Sequence, residues 1–410
     1  MAVPKLRFKE FDGDLTESKL VELTLWASGG TPAKDIPEYW GDDIPLISGA
    51  SMHTNQLYES DVKITRLGLQ KGSKLAPKDS ILILVRGSML FNKIPMGITL
   101  GDVAFNQDVK CIRPKQEVAP QFLFQWLHAK ENTIQNKVTA TGIGAGKLDT
   151  ADLQNLKLYK PSSEEQTKIA SFLSAVDEKI SQLTQKHELL SQYKQGMMQK
   201  LFSQHIRFKA DDGSEFGEWE NKALNTLCSR SYQGINTVAD KVEYQQSGYP
   251  ILQAKHITSE KLDLVDVRYL SDLDYEKYKE KYIPNVNDIL FSNIGTIGKV
   301  VLVDAKNPFF IAWNIFLITP KETLITPLYL SSYLRWLTAL NYFDNLQTGN
   351  ATKFINKTDL LATVINLPCL AEQTKIANFL SAIDQKIEVV AQQIEQAKTW
   401  KKGLLQQMFV

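Results

Sequence analysis

Apolar residues recur at alternating steps of four and three through two long stretches of the chain. In the first they are Ile169, Leu173, Val176, Ile180, Leu183, Leu190, Met197 and Leu201, with His187 and Lys194 filling the gaps. In the second they are Ile376, Leu380, Ile383, Ile387, Val390, Ile394, Ala397, Leu404 and Met408, with Lys401 in the position of Lys194. A strict a/d repeat over more than four heptads predicts a coiled-coil seam rather than a surface helix on a globular core. Each stretch follows a proline, Pro161 or Pro368, and Ser162 and Ser163 supply capping residues for the first. At 1.5 Å per residue each rod is roughly 58 Å long. Two rods of equal period and length are expected to pack on each other, antiparallel, because the intervening chain is long enough to return to the far end of the first.

The two stretches are copies. Glu165 to Ser203 aligns without a gap onto Glu372 to Val410, and 19 of the 39 positions are identical. The copies open EQTKIASFLSAVDEKI and EQTKIANFLSAIDQKI. The same offset pairs Pro161 with Pro368, Asp152 with Asp359, and Thr141-Gly142 with Thr348-Gly349. Leu6-Arg7-Phe8-Lys9 likewise resembles Ile206-Arg207-Phe208-Lys209. The chain is therefore a tandem duplication. Residues 1–160 and 208–367 are expected to be globular domains, and residues 161–207 and 368–410 helical spacers.

Each globular region shows short apolar runs separated by turn residues. Strands are expected at 44–47, 80–85, 101–105 and 109–112, and at 250–252, 288–292, 299–303 and 313–318. A helix follows in each, at 120–130 and 326–339. The fold class is α/β: two α/β domains with a curved sheet each, separated by two long antiparallel coiled-coil helices, with a pseudo-twofold internal repeat.

The loops between these strands diverge between the copies and carry residue types that touch nucleic acid. In the first region these are Thr31, Lys34, Ser51, His53, Asn55, Arg86, Ser88, Lys93 and Lys147. In the second they are Tyr232, Gln233, Asn236, Lys255, His256, Asn293, Thr296, Lys299 and Lys353. Asn, Gln, Arg, Lys and Ser at loop tips bond base edges, and nearby glycines let backbone approach phosphate. Different loop residues on one repeated frame are what reading two different sequences requires. On the rods, Tyr193-Lys194 and Trp400-Lys401 occupy equivalent positions and are candidates for docking a partner.

Composition narrows the chemistry. The 410 residues are 43% hydrophobic and carry a formal net charge of +1, which suits a globular protein that touches nucleic acid only through local patches. Cys111, Cys228 and Cys369 lie far apart, and no HExxH pair occurs among the five histidines, so neither a disulfide framework nor a metal site is expected. The start lacks a signal peptide's apolar run and no stretch approaches the ~20 residues that span a membrane, so a cytoplasmic setting is expected. Gly142-Ile143-Gly144-Ala145-Gly146-Lys147 imitates a phosphate loop, but Thr141 stands where its first glycine belongs and Leu148 where Ser or Thr belongs. Asn307-Pro308-Phe309-Phe310 lacks the second proline of the amino-methyltransferase motif, and no Pro-Asp dipeptide of the common nuclease core occurs. No catalytic constellation emerges.

The paired EQTKIA helix openings after a proline, the TG…D-L…P stretches before them and the similar start of each half resemble type I restriction-modification specificity subunits over essentially the whole chain. That resemblance implies two target recognition domains, each reading one half of a split site in double-stranded DNA. It implies helices that set the spacing and dock two methyltransferase (modification) subunits, which recruit restriction subunits. It also implies no catalytic activity and no cofactor on this chain, with S-adenosylmethionine, ATP and Mg on the partners. The alternative reading is a non-catalytic coiled-coil scaffold whose two globular modules bind proteins.

Overall fold

A computed structural model of the chain describes residues 3–142, 144–258, 261–304, 308–349 and 353–410. Ile143 of the glycine-rich loop, Asn307 of the Asn-Pro-Phe-Phe stretch, and Asn350, Ala351 and Thr352 of the loop before Lys353 lie outside them. The two rods are helices Ser163–Phe202 and Leu370–Met408. The chain forms two compact units, and each rod is divided between them: one unit is residues 1–185 with Ala391–Val410, the other Lys186–Val390.

In the first unit a five-stranded sheet runs in the order Thr24–Ser28, Val109–Pro114, Ile81–Leu84, Met96–Thr99, Gln56–Leu57, antiparallel except for the last pair. The central strands are buried throughout, as expected where both faces are covered. A second sheet holds Lys63–Ile64, Trp40–Ile47, Val103–Phe105 and Lys74–Ala76. The expected single curved sheet is thus two. The chain crosses between them at Asn106, Gln107 and Asp108, where the Asn106 side chain accepts from the Asp108 N–H (3.1 Å) and turns the backbone out of the ladder. Helix Pro120–Ala129, with proline at its first position, buries Phe122, Leu123, Trp126 and Leu127 against the five-stranded sheet's core. Ile169, Leu173 and Val176 of the first rod and Leu404, Leu405 and Met408 of the second join that core.

The second unit repeats the plan. Cys228–Gln233, Ile315–Pro320, Ile289–Ser292 and Val300–Leu302 form one sheet, and Arg268–Leu270, Tyr249–Leu252 and Phe310–Ile311 another. The crossing turn is Ala312, Trp313 and Asn314. The strand expected from residue 313 begins at Ile315, because the Ile315 N–H closes a turn onto the Ala312 carbonyl (3.0 Å) and leaves Trp313 outside the ladder. Helix Pro327–Ala339 packs Tyr329, Tyr333 and Trp336 around Phe202 of the first rod, with ring centroids 5.2–5.6 Å apart. Met198 rather than Met197 is buried there. A 3.6-residue helix drifts from a strict seven-residue repeat, and this end of the rod faces the unit's own core.

The repeated EQTKIA motif has a local reason. In the first unit Glu165, almost fully buried, receives two hydrogen bonds from the Arg7 guanidinium, both 2.7 Å. In the second, Glu372 receives the same fork from Arg207 (3.0 and 2.7 Å). Each fork raises its arginine's pKa through the bond to the carboxylate. The neighbouring glutamine is a staple: Gln166 Nε2 donates to the Glu117 and Pro161 carbonyls while its Oε1 accepts from the Ala119 N–H. Gln373 does the same with Leu324, Pro368 and Thr326. Phe8 packs edge-on against Phe172, and Phe208 against Phe379. The repeated residues thus fix the entry segment and short helix of each unit to its rod.

Within each unit the leading part of one rod is paired with the trailing part of the other, as expected of antiparallel helices. In the first, Lys401 bonds Asp177 Oδ1 (2.5 Å), and Gln125 Nε2 donates to Asp177 Oδ2 (2.7 Å). In the second, Lys194 bonds Asp384.

Candidate nucleic-acid interface

Strand order brings the divergent loops to one end of each main sheet. In the first unit Thr24–Ser28 and Ile81–Leu84 end there, and Val109–Pro114 and Met96–Thr99 begin there. That end therefore gathers Thr31, the 106–108 turn, Arg86, Ser88 and Lys93. The opposite end carries helix Pro120–Ala129 and the glutamine staple. Two glycines let the loops nest. A Cβ on Gly29 would lie 2.1 Å from the Phe105 carbonyl oxygen, and one on Gly234 2.3 Å from that of Ala312. No larger residue fits at either place without moving backbone.

Arg86 and Lys147 are cross-strand partners in a small sheet formed by Thr139–Ala140, Gly146–Lys147 and Arg86–Gly87. Both are exposed, so the hairpin presents two positive charges side by side. Ser88, Lys93, Lys34, His53 and Asn55 are also exposed. Thr31 donates to Gln107 Oε1 (2.7 Å), which fixes Gln107, a residue that loop composition did not single out.

In the second unit the loop end holds Gln233, whose Nε2 donates to the Trp313 carbonyl (2.6 Å), with Lys255, Thr296 and Lys353 exposed. Trp313 is 45% exposed and Phe354 is 38% exposed. Sequence reasoning missed both: Trp313 reads as the first residue of the apolar run that follows it, and Phe354 lies just past the polar loop that ends at Lys353. Only the turn chemistry of Ala312 and Asn314 could have separated Trp313 from that run.

Several expected base-reading residues are taken up by the fold, some through hydrogen bonds and others by burial alone. His256 is buried, and its Nδ1 accepts from the Gln253 N–H (2.9 Å). The Ser51 hydroxyl holds the matching turn of the first unit, accepting from the Ser48 N–H and bonding Ser60. The Asn293 side chain is buried and donates to the Ile355 carbonyl (3.4 Å). Asn236 holds its own turn, accepting from the Ala239 N–H (3.1 Å). Tyr232 packs edge-on against Tyr282, and burial pushes its hydroxyl's pKa up to about 12. Lys299 lines a cavity of about 390 Å³ with Lys194, Arg335 and Thr338 on the helix side. On the rods, Tyr193 and Trp400 are exposed, Trp400 edge-on to Phe172 (6.0 Å). Lys194 and Lys401 turn inward to their aspartates, because each stands at a seam position. Among the described residues no cluster of His, Cys, Asp or Glu could hold a metal ion, and no helix is long and apolar enough to cross a membrane.

The chain matches the type I restriction modification DNA specificity domain twice, over residues 13–192 and 217–399. It is 27% identical to a putative type I restriction enzyme MjaX specificity subunit of Methanocaldococcus jannaschii, over 98% of this chain and 94% of that one. It is 28% identical to the MjaVIII specificity subunit of the same organism, over 97% and 94%. The crystal structure of a type I restriction-modification S subunit from M. genitalium has the same fold, with a TM-score of 0.60 at 15% identity over 100% of this chain and 99% of that one. Two copies of this domain span most of the sequence, and the chain belongs to the type I restriction-modification DNA specificity family.

Proposed function

We propose that this chain is the DNA-sequence-specificity subunit of a type I restriction-modification assembly, and that each unit reads one half of a bipartite site. The observation that carries this reading is the contrast within each unit: the helix end of the sheet is held by the same bonds in both, while the loop end presents different side chains. The rods set the distance between half-sites and dock two methyltransferase subunits, with Tyr193 and Trp400 as exposed candidates for that contact. S-adenosylmethionine, ATP and Mg act on the partner subunits, and this chain contributes recognition without bond chemistry. Half-sites read from one side of a duplex lie about one helical turn, 34–36 Å, apart. A stiff spacer turns a fixed separation of readers into a fixed number of base pairs. The near-neutral charge fits a complex in which partners supply much of the phosphate neutralisation. Family membership favours this reading over a scaffold that binds proteins.

The test is methylation by the chain together with its methyltransferase partner. The expected product is a bipartite, asymmetric modified site, and replacing residues 208–367 by the equivalent domain of a relative changes one half-site only. A heptad inserted at residues 180–190, with a matching heptad in the second rod, lengthens the preferred spacer by about three base pairs. Methylation of a single continuous short site would overturn the reading.

A further inference from the structure

One backbone position is built identically in the two units and dressed with opposite chemistry. In the first, the Val85 N–H donates to the Asp108 carbonyl (2.8 Å) and the Val85 carbonyl accepts from the Leu148 N–H (2.9 Å). In the second, the Asn293 N–H donates to the Asn314 carbonyl (3.2 Å) and the Asn293 carbonyl accepts from the Ile355 N–H (3.0 Å). The neighbours of these residues flank the same point. Gln107, Arg86 and Lys147 surround Val85, whereas Trp313, Ile294 and Phe354 surround Asn293. The pairing is conserved down to the bridge: Arg86 faces Lys147, and Ile294 faces Phe354.

We infer that at this point the first unit reads its half-site with polar and charged groups, and the second with an apolar contact to a thymine methyl. The inference rests on the DNA-reading function proposed above. Arg and Gln bond purine edges, and Lys bonds phosphate. In the major groove the apolar feature of a base edge is the thymine C5-methyl. Three apolar side chains gathered at a loop end are more than a scattered exposed leucine, and call for an occupant. A protein partner with an apolar face fits poorly, because the cluster is bordered by Lys353, by Gln233 and by the turn carrying Lys255. The Ala254 N–H of that turn bonds the Asn314 side chain (3.2 Å). That border suits a polyanion offering one apolar group.

The experiment uses the complex with the methyltransferase partner and duplexes carrying the site mapped by methylation, with half-sites assigned to units by the domain exchange. Each thymine is replaced in turn by deoxyuridine, which removes only the methyl. At one position of the second unit's half-site, binding should weaken about fourfold, the equivalent of one buried methyl. The Trp313→Ala, Phe354→Ala variant should bind the normal duplex more weakly and no longer distinguish thymine from uracil there. Lys147→Ala should reduce the slope of log affinity against log salt by about 0.9, and the aromatic variant should leave it unchanged. If every uracil substitution in the second half-site is neutral, or the aromatic variant still senses uracil, the inference is wrong. If the complex does not discriminate its site from scrambled duplex, the DNA-reading function itself fails.

Discussion

The two ends of each main sheet obey different rules. At the helix end the two units share three devices: an arginine fork on a buried glutamate, a glutamine bridging two carbonyls and one N–H, an edge-on phenylalanine pair. At the loop end they agree only in backbone. The same crossing turn carries Gln107 in one unit and Trp313 in the other, and the same bridge carries Arg86–Lys147 or Ile294–Phe354. Bonds that hold a frame tolerate little change, because a buried charge or carbonyl left without its partner is expensive. Exposed side chains on a settled backbone are released from that constraint. A protein that must change its ligand while keeping its assembly would place the two kinds of residue at opposite ends of its strands, as here.

The largest test of this contrast lies at the helix end. Arg7→Ala should destabilise the first unit by about 3–5 kcal/mol, since it strands the buried Glu165 carboxylate. Arg207→Ala should cost about 1–2 kcal/mol less, because Glu372 also accepts from Trp219 Nε1 (3.0 Å). Hydrogen exchange of the two rods, read unit by unit, checks the order; equal losses would make the tryptophan bond irrelevant. Next come the glycines under the loops. Gly29→Ala and Gly234→Ala should each cost about 1–3 kcal/mol, because the new Cβ meets a carbonyl oxygen and not a side chain that can swing away. Thermal unfolding measures this, and a neutral result would show the two sheets free to part. The smallest effect distinguishes the matching turns held by Ser51 and His256. Burial, reinforced by Lys255 and opposed by Asp263, Asp266 and the Asp266 carbonyl, lowers the His256 pKa below its ordinary 6.5. Below about pH 6.5 the unfolded chain binds a proton that the folded ring resists, so stability falls with pH by less than about 1.4 kcal/mol per unit; above pH 6.5 it is level. Exchange of residues 253–257, corrected for intrinsic rate, should rise between pH 7 and 5.5, while residues 48–52 show no such rise.

The rods, the duplication and most strands were legible because periodicity and repetition are written in the sequence directly. The side-chain assignments were less so, for definable reasons. His256 and Ser51 are both polar residues in a loop, and nothing in a linear sequence tells a turn cap from a base reader. Lys194 and Lys401 interrupt an apolar seam. They read as docking candidates until the opposite rod supplies Asp384 and Asp177 at the matching level. The split of the expected single sheet depends on three-residue turns whose effect is set by side-chain bonds such as that of Asn106.

The division of each rod between two units has a consequence in time. The second unit is one uninterrupted stretch, Lys186–Val390, while the first needs Ala391–Val410 to close its core around Leu404, Leu405 and Met408. At roughly 5–20 residues per second of synthesis, about 10–40 s separate residue 185 from residue 391 on the ribosome. The unit that begins first is therefore completed last, and until then its apolar face waits for a helix not yet made.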